Sequence, residues 1–390
     1  CKKGDSMQAV QTDFTVTQEK VKEVANLLTL VPDQNGDLSK KSGVKSLSIK
    51  REVESVTPYP SADDPAFYII NYKDNQGWIL LSADKRAIPV LASSAEGHFS
   101  LNMTDHNINL VGWMESAVEQ MTEIKNTPYK EDEKTGGGIK ALWDEPCPDG
   151  LLKGIDPDMI STMTVCELDP CDAPADITIP EKLVTRWGQG YGYNDALANM
   201  GCPGNGKPPV GCVATSMAQI MKYYNYPNTY NWALMPNTYA SAETARLMRD
   251  IGSAVDMNYA CGSSGADTQG EVANAFKNDF GYSSASYQDF NTTLFFSEIQ
   301  AGRPVIIRGG TNVNGNYTNG HAWVADGAQR FSVCNWDYET GEVTSIYLYY
   351  WGHMNWGWDG SENGFYQIGN FNNANGSFNY KTGLIYNIRP

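Results

Sequence analysis

Apolar positions along the chain change their spacing more than once, and the changes divide it. Between residues 15 and 30 they fall at Val21, Val24, Leu27 and Leu28, a helical stripe that Pro32 ends. Strand-length runs follow at 53–57, 66–71, 78–82 and 90–92, bounded by Pro and by Asn75-Gln76-Gly77. A second helical stripe over 108–124 carries Val111, Met114, Val118, Met121 and Ile124, enough with the strands for a small α+β unit. From 126 to 140 the pattern lapses into charges and then Gly136, Gly137 and Gly138, a composition expected to be exposed and easily cut. Residues 141–180, rich in Asp, Pro and Cys, read as an extended, disulfide-braced loop region.

From Lys182 a larger unit begins. It holds a helix starting at Cys212, helices near 242–255 and 268–276, and strands near 304–308, 321–326, 331–335, 345–350, 364–368 and 383–388. Helices first and strands afterwards predict a two-lobed α+β domain with a cleft between a helical lobe and a sheet lobe. The expected division is 1–135, a leading unit; 136–181, a linker with cysteines; and 182–390, the main domain.

Charge and length remove some classes of function. The 390 residues carry 45 acidic against 29 basic groups, a net charge of -16, and no Lys/Arg run long enough to follow a phosphate backbone, so nucleic acid is not an expected partner. No run approaches the roughly eighteen apolar residues of a membrane span. Besides Cys1 and Cys212, six cysteines (Cys147, Cys166, Cys171, Cys202, Cys261, Cys334) suit up to three disulfides and an oxidising compartment, with their pairing open. A zinc site from Cys147, Cys166 and Cys171 would have to recruit Cys202, and loop stapling is the better reading. Asp33-Gln34-Asn35-Gly36-Asp37 is read as a turn, since Leu38 stands where a calcium loop needs glycine. No metal and no cofactor are expected. A chain starting Cys1-Lys2-Lys3-Gly4-Asp5 has the form of a bacterial lipoprotein after signal-peptide removal, with lipid on Cys1; a trimmed boundary gives the same start.

Cys212 follows a Gly/Pro-rich stretch and opens a helix, where unpaired amides and the helix dipole favour a thiolate. A nucleophilic thiol needs a proton acceptor. His321, directly after Gly320 at the start of an apolar strand, is the first choice, and His353, read as lying in a loop, the second. Asn355, in Asn355-Trp356-Gly357-Trp358, would orient the imidazole, with its neighbouring indoles as a shield; Asn335, before Trp336, is its rival. The Cys212 amide and the side chain of Gln189, flanked by Gly188 and Gly190, would receive the oxyanion.

These segments resemble the streptopain family of secreted bacterial cysteine proteases, which have a papain-like fold. The resemblance runs from Leu183 to the C-terminus. Gly211-Cys212-Val213-Ala214-Thr215 with Ala218-Gln219-Ile220-Met221-Lys222-Tyr223 resembles the nucleophile helix, and Gly320-His321-Ala322 the histidine motif. Asn355-Trp356-Gly357-Trp358 resembles the tryptophan-rich loop, Trp187 with Gln189 the oxyanion segment, and residues 255–259 the stretch between helices. The resemblance implies a cysteine endopeptidase zymogen acting on protein or peptide substrates through a thioester. It also implies that the leading unit is a propeptide, an intramolecular inhibitor removed by proteolysis near 130–140, and that the cleft prefers a hydrophobic residue beside the cut. Two features depart from it: residues 141–180, and an insertion at 337–354 between the His strand and the Asn-Trp motif. The expected location is secreted or cell-envelope; on the lipoprotein reading of Cys1, as against a trimmed boundary, a lipid there would anchor the protein to the outer membrane or surface of a Gram-negative bacterium. An amidase or transglutaminase with the same Cys-His-Asn logic, and a catalytically silent surface-binding protein, are the alternatives.

Overall fold

Strand alternation sets the architecture. In the computed structural model, which describes residues 14–27, 51–102, 108–127, 135–144, 176–313, 316–337, 340, 342–369 and 383–390, the chain forms an α+β fold around one long antiparallel sheet. The leading unit supplies α1 (Gln18–Leu27), β1 (Val53–Tyr59), β2 (Phe67–Tyr72), β3 (Trp78–Ser82), β4 (Val90–Ser94) and α2 (Ile108–Asn126). Then come β5 (Thr135–Gly137), α3 (Gly138–Asp144) and β6 (Ile177–Ile179). The remainder supplies α4 (Cys212–Tyr224), α5 (Ala242–Ala254), α6 (Glu271–Asn278), β7 (Ser284–Asp289), α7 (Thr292–Gln300), β8 (Val305–Val313), β9 (Asn316–Asp337), β10 (Val343–Asn355), β11 (Gly364–Ile368) and β12 (Gly383–Arg389). The readings at Cys1, 33–37, Cys147, Cys166 and Cys171 lie outside the described residues.

The sheet runs β1-β2-β3-β4-β11-β10-β9-β8-β12-β7, with β5 and β6 added to the far part of β9. The leading unit is therefore joined to the main domain by strand pairing, Phe365 to Ser93 and Tyr366 to Ala92. Side chains cross that seam: Trp113 donates from Nε1 to the Gln367 carbonyl at 3.3 Å, and Arg186 pairs with Glu96. Two cores lie on opposite faces of β8 and β9, as a period of two requires. Ile306, Ala322 and Val324 face α4, while Ile307, Trp323 and Ala325 join Phe67, Trp78 and Met114 of the leading unit.

Three expectations change here. The strand expected at 345–350 is longer: β10 runs over Val343–Asn355 and pairs with β9, which puts His353 on a strand and not in a loop. The end of the supposed tether is ordered, because β5 pairs with β9 and α3 buries Trp143, whose Nε1 donates to the Ala87 carbonyl at 3.1 Å. Residues 177–179, assigned to a loop region, form β6.

Candidate active site

Gly211 gives α4 its start. Its φ of 88° lies where glycine is favoured, and a Cβ there would come within 2.8 Å of the Ser264 carbonyl. The turn it permits makes Cys212 the first helical residue, only 7% exposed, and the one free cysteine among the described residues. His321 arrives from β9. Together with Arg308 and the 265–269 loop, Cys212 and His321 line one cavity of about 340 Å³. Two distant stretches thus place a thiol and an imidazole on the same void.

The electrostatics of the pair differ from the sequence expectation. Burial raises the Cys212 thiol above its ordinary value, and the backbone amides of Ala322, Val213 and Cys212 offset only part of this. Burial also pushes His321 down to about 4. At neutral pH this conformation therefore holds a thiol beside a neutral imidazole, and the lowered thiol pKa expected from the helix start is not its property.

Gln189 is brought to the nucleophile through its backbone: its carbonyl accepts the Val210 amide at 2.9 Å, two residues before Cys212. The preceding Gly188 carbonyl accepts the Thr215 hydroxyl at 3.3 Å, which pins this segment to the first turn of α4.

Asn355 is placed differently from expectation. Its Nδ2 donates to the Thr185 carbonyl at 2.8 Å, and its Oδ1 accepts from Gln219 Nε2 at 3.1 Å and from the Gly357 amide at 3.2 Å. Both lone pairs of that oxygen are engaged, so it has no capacity left for an imidazole N–H in this conformation. His321 Nε2 is buried without a hydrogen-bond partner. Trp356 turns into the core, its ring 5.3 Å from that of Trp323. The rival Asn335 pairs with Gly137 and Ser345, fourteen residues along β9 from His321 and thus on the order of 40 Å away along an extended strand.

His353 belongs to another site. Its Nδ1 lies 2.7 Å from Oδ1 of the fully buried Asp326, whose Oδ2 accepts the Lys182 and Leu183 amides at 2.9 and 2.6 Å. Burial acts to lower the His353 pKa, but the Asp326 carboxylate outweighs it and the net shift is upward. The pair clamps the irregular stretch after β6, at residues 182 and 183, to β9 and β10.

Sequence reading gave Gln219 no role. Fully buried on α4, it takes the Thr185 hydroxyl at 3.0 Å on Oε1 and holds Asn355 through Nε2. The only signal was weak: a glutamine seven residues after Cys212, two turns along the same helix. Cys202, needed as a fourth thiolate for zinc, is bonded to Cys261, and the described residues hold no cluster of three potential metal ligands. Cys334 is also disulfide-bonded.

Residues 187–230 and 228–366 match the Peptidase C10 family, and residues 15–121 match the Spi protease inhibitor family. Streptopain of Streptococcus pyogenes serotype M28 is 27% identical over 384 residues, spanning 83% of this chain and 80% of its own. The thiol protease/hemagglutinin PrtT of Porphyromonas gingivalis is 25% identical over 350 residues, spanning 77% of this chain and 34% of its own. A solved fragment of Prevotella intermedia prointerpain A has the same fold, with a TM-score of 0.55 at 21% identity, covering 86% of this chain and 99% of that one.

Proposed function

Because the chain belongs to the Peptidase C10 family, as a cysteine protease zymogen with a Spi-type propeptide domain, we propose that Cys212 is its nucleophile and His321 its proton carrier. The observation that carries this is the shared cavity, lined by a helix-start thiol and an imidazole from a different element. In the matured enzyme His321 takes the Cys212 proton, and the sulfur adds to the scissile carbonyl. The Cys212 amide and the Gln189 side chain receive the oxyanion. Collapse of the intermediate breaks the C–N bond as the imidazolium protonates the amine. Water, deprotonated by His321, then attacks the thioester and releases the acid and the thiol. Asn355 acts through Gln219, fixing the segment from Thr185 to Gln189, rather than by holding the imidazole.

The zymogen is held with the pair in its neutral form. The propeptide comprises residues 1 to about 135, and the catalytic chain retains β6 and the Lys182–Leu183 stretch, whose bonds to β9 and Asp326 are part of its own sheet. The Cys202–Cys261 disulfide supports secretion, because such bridges persist in oxidising compartments. No helix of the described residues is long and apolar enough to cross a membrane. The test is Cys212→Ala in the full chain. Loss of peptide hydrolysis and of self-shortening is expected, and full activity in this variant would refute the assignment.

A further inference from the structure

We propose that Arg308 makes the Cys212 cavity a receptor for an acidic side chain of the substrate next to the scissile bond. The inference rests on the reading of Cys212 as nucleophile and specifies what that site selects. β8 sets Arg308 directly opposite Ala322, the residue after His321 and the one whose amide acts on the Cys212 thiol. Cross-strand partners project to the same face, and here that face carries Ile306 and Val324 toward α4. Arg308 is only 6% exposed, yet it lines the cavity. A buried guanidinium therefore opens onto the space that a substrate side chain must occupy.

Its position is built. Nη1 donates to the Tyr287 hydroxyl at 3.3 Å, and the guanidinium carbon lies 5.9 Å from the centre of that ring. Gly383 leaves the room they use: a Cβ there would fall 2.9 Å from Arg308 Cγ and 2.6 Å from the Tyr287 ring. Arginine stays protonated at any working pH, and its planar fork matches a carboxylate. Low dielectric around it strengthens that pairing relative to water. Gly265 and Ala266, which also line the cavity, are small and leave room for the side chain. The other charged group on the cavity is Asp267, exposed, with Oδ1 accepting the Gln269 amide at 2.8 Å. The hydrophobic preference implied by the resemblance is replaced by one set by a cation.

The test uses enzyme matured from the full chain, with active sites titrated by iodoacetamide so that incomplete maturation does not enter the rates. Peptide pairs differing only as Glu against Gln are compared at each position flanking the cleaved bond. At one position the Glu peptide should have a kcat/KM about tenfold higher, with the preference falling as salt is raised. Arg308→Gln should bring the ratio to about one, and Arg308→Lys should keep part of it. A ratio of one or below at every position in the unaltered enzyme overturns the proposal, even if Arg308→Gln does not fold. A preference that survives in Arg308→Gln also overturns it. Hydrolysis of both peptides by Cys212→Ala would instead overturn the nucleophile assignment, so the two failures are distinct.

Discussion

Gln219 and Asn355, 136 residues apart in the chain, join their buried amides through a 3.1 Å hydrogen bond. That bond links the nucleophile helix to the end of β10, and both residues also hold Thr185, one through its hydroxyl and the other through its carbonyl.

Replacing Gln219 by Leu should therefore cost more than one contact. The Thr185 hydroxyl and the Trp187 amide lose their acceptor, and Asn355 Oδ1 loses a donor. Buried groups left without partners cost about 1–3 kcal/mol each, so a loss of about 2–4 kcal/mol is expected in urea unfolding. Loss of hydrolysis should accompany it, with the Gln189 segment no longer fixed. A change below about 0.5 kcal/mol would show that the network contributes little.

The two histidines of the main domain should pull stability in opposite directions with pH. His321 sits at about 4 when folded and near 6.5 when unfolded, so the unfolded chain binds more protons between these values. Its contribution is present above pH 6.5 and disappears as pH falls toward 4, by on the order of 3 kcal/mol. His353 is raised when folded, so its contribution is complete below about pH 6.5 and lost as pH climbs through its folded value. Denaturation of the full chain from pH 4 to 8 should show His321→Asn flattening the acid side and His353→Gln removing the alkaline decline. Unchanged slopes in both variants would contradict this assignment.

Much of this arrangement was legible in the chain. The 3.6-residue stripe at Val213, Met217, Ile220 and Met221 gave α4, and the glycine before Cys212 gave its abrupt start. The strands 78–82 and 364–368 matched β3 and β11. What escaped was nonlocal. The strand at 345–350 was legible, but its continuation to Asn355, which takes in His353, depends on the partner that β9 offers it. Asn355 was read beside His321 because side-chain type suggests a role but not a neighbour. Its actual partners come from Thr185, Gln219 and Gly357, and no spacing rule points to the first two. Burial of Cys212, which reverses the sign of its pKa shift, likewise depends on what packs over the helix start.

Gly211→Ala should disturb the nucleophile without touching it. The added methyl would meet the Ser264 carbonyl at 2.8 Å and the Met257 sulfur at 3.1 Å, on a backbone at φ 88°. A stability loss of about 1–3 kcal/mol is expected from strain of this kind, read as a lowered Tm. Displacement of the thiol should reduce kcat by about a hundredfold at a shift near 1 Å. Retained kcat with retained Tm would mean that the turn tolerates a side chain.

Opening the Cys202–Cys261 bridge, through Cys202→Ser with Cys261→Ser, removes a closure over 59 residues. Loop-closure entropy places the cost near 4 kcal/mol. The 265–269 wall of the cavity follows Cys261 closely in the chain, so KM should rise more than kcat falls. Equal unfolding midpoints with and without the bridge would oppose this.

Scission and departure must be separate events in this molecule. Ser93 and Ala92 are paired with Phe365 and Tyr366, and Phe67, Trp78 and Met114 belong to the same apolar cluster as Ile307 and Trp323, so a nick in the connecting stretch severs the chain while these contacts persist. A chain cut there is therefore expected to stay docked: its fragments should part on a denaturing gel and migrate as one particle on a native one, and separate migration on both would oppose this.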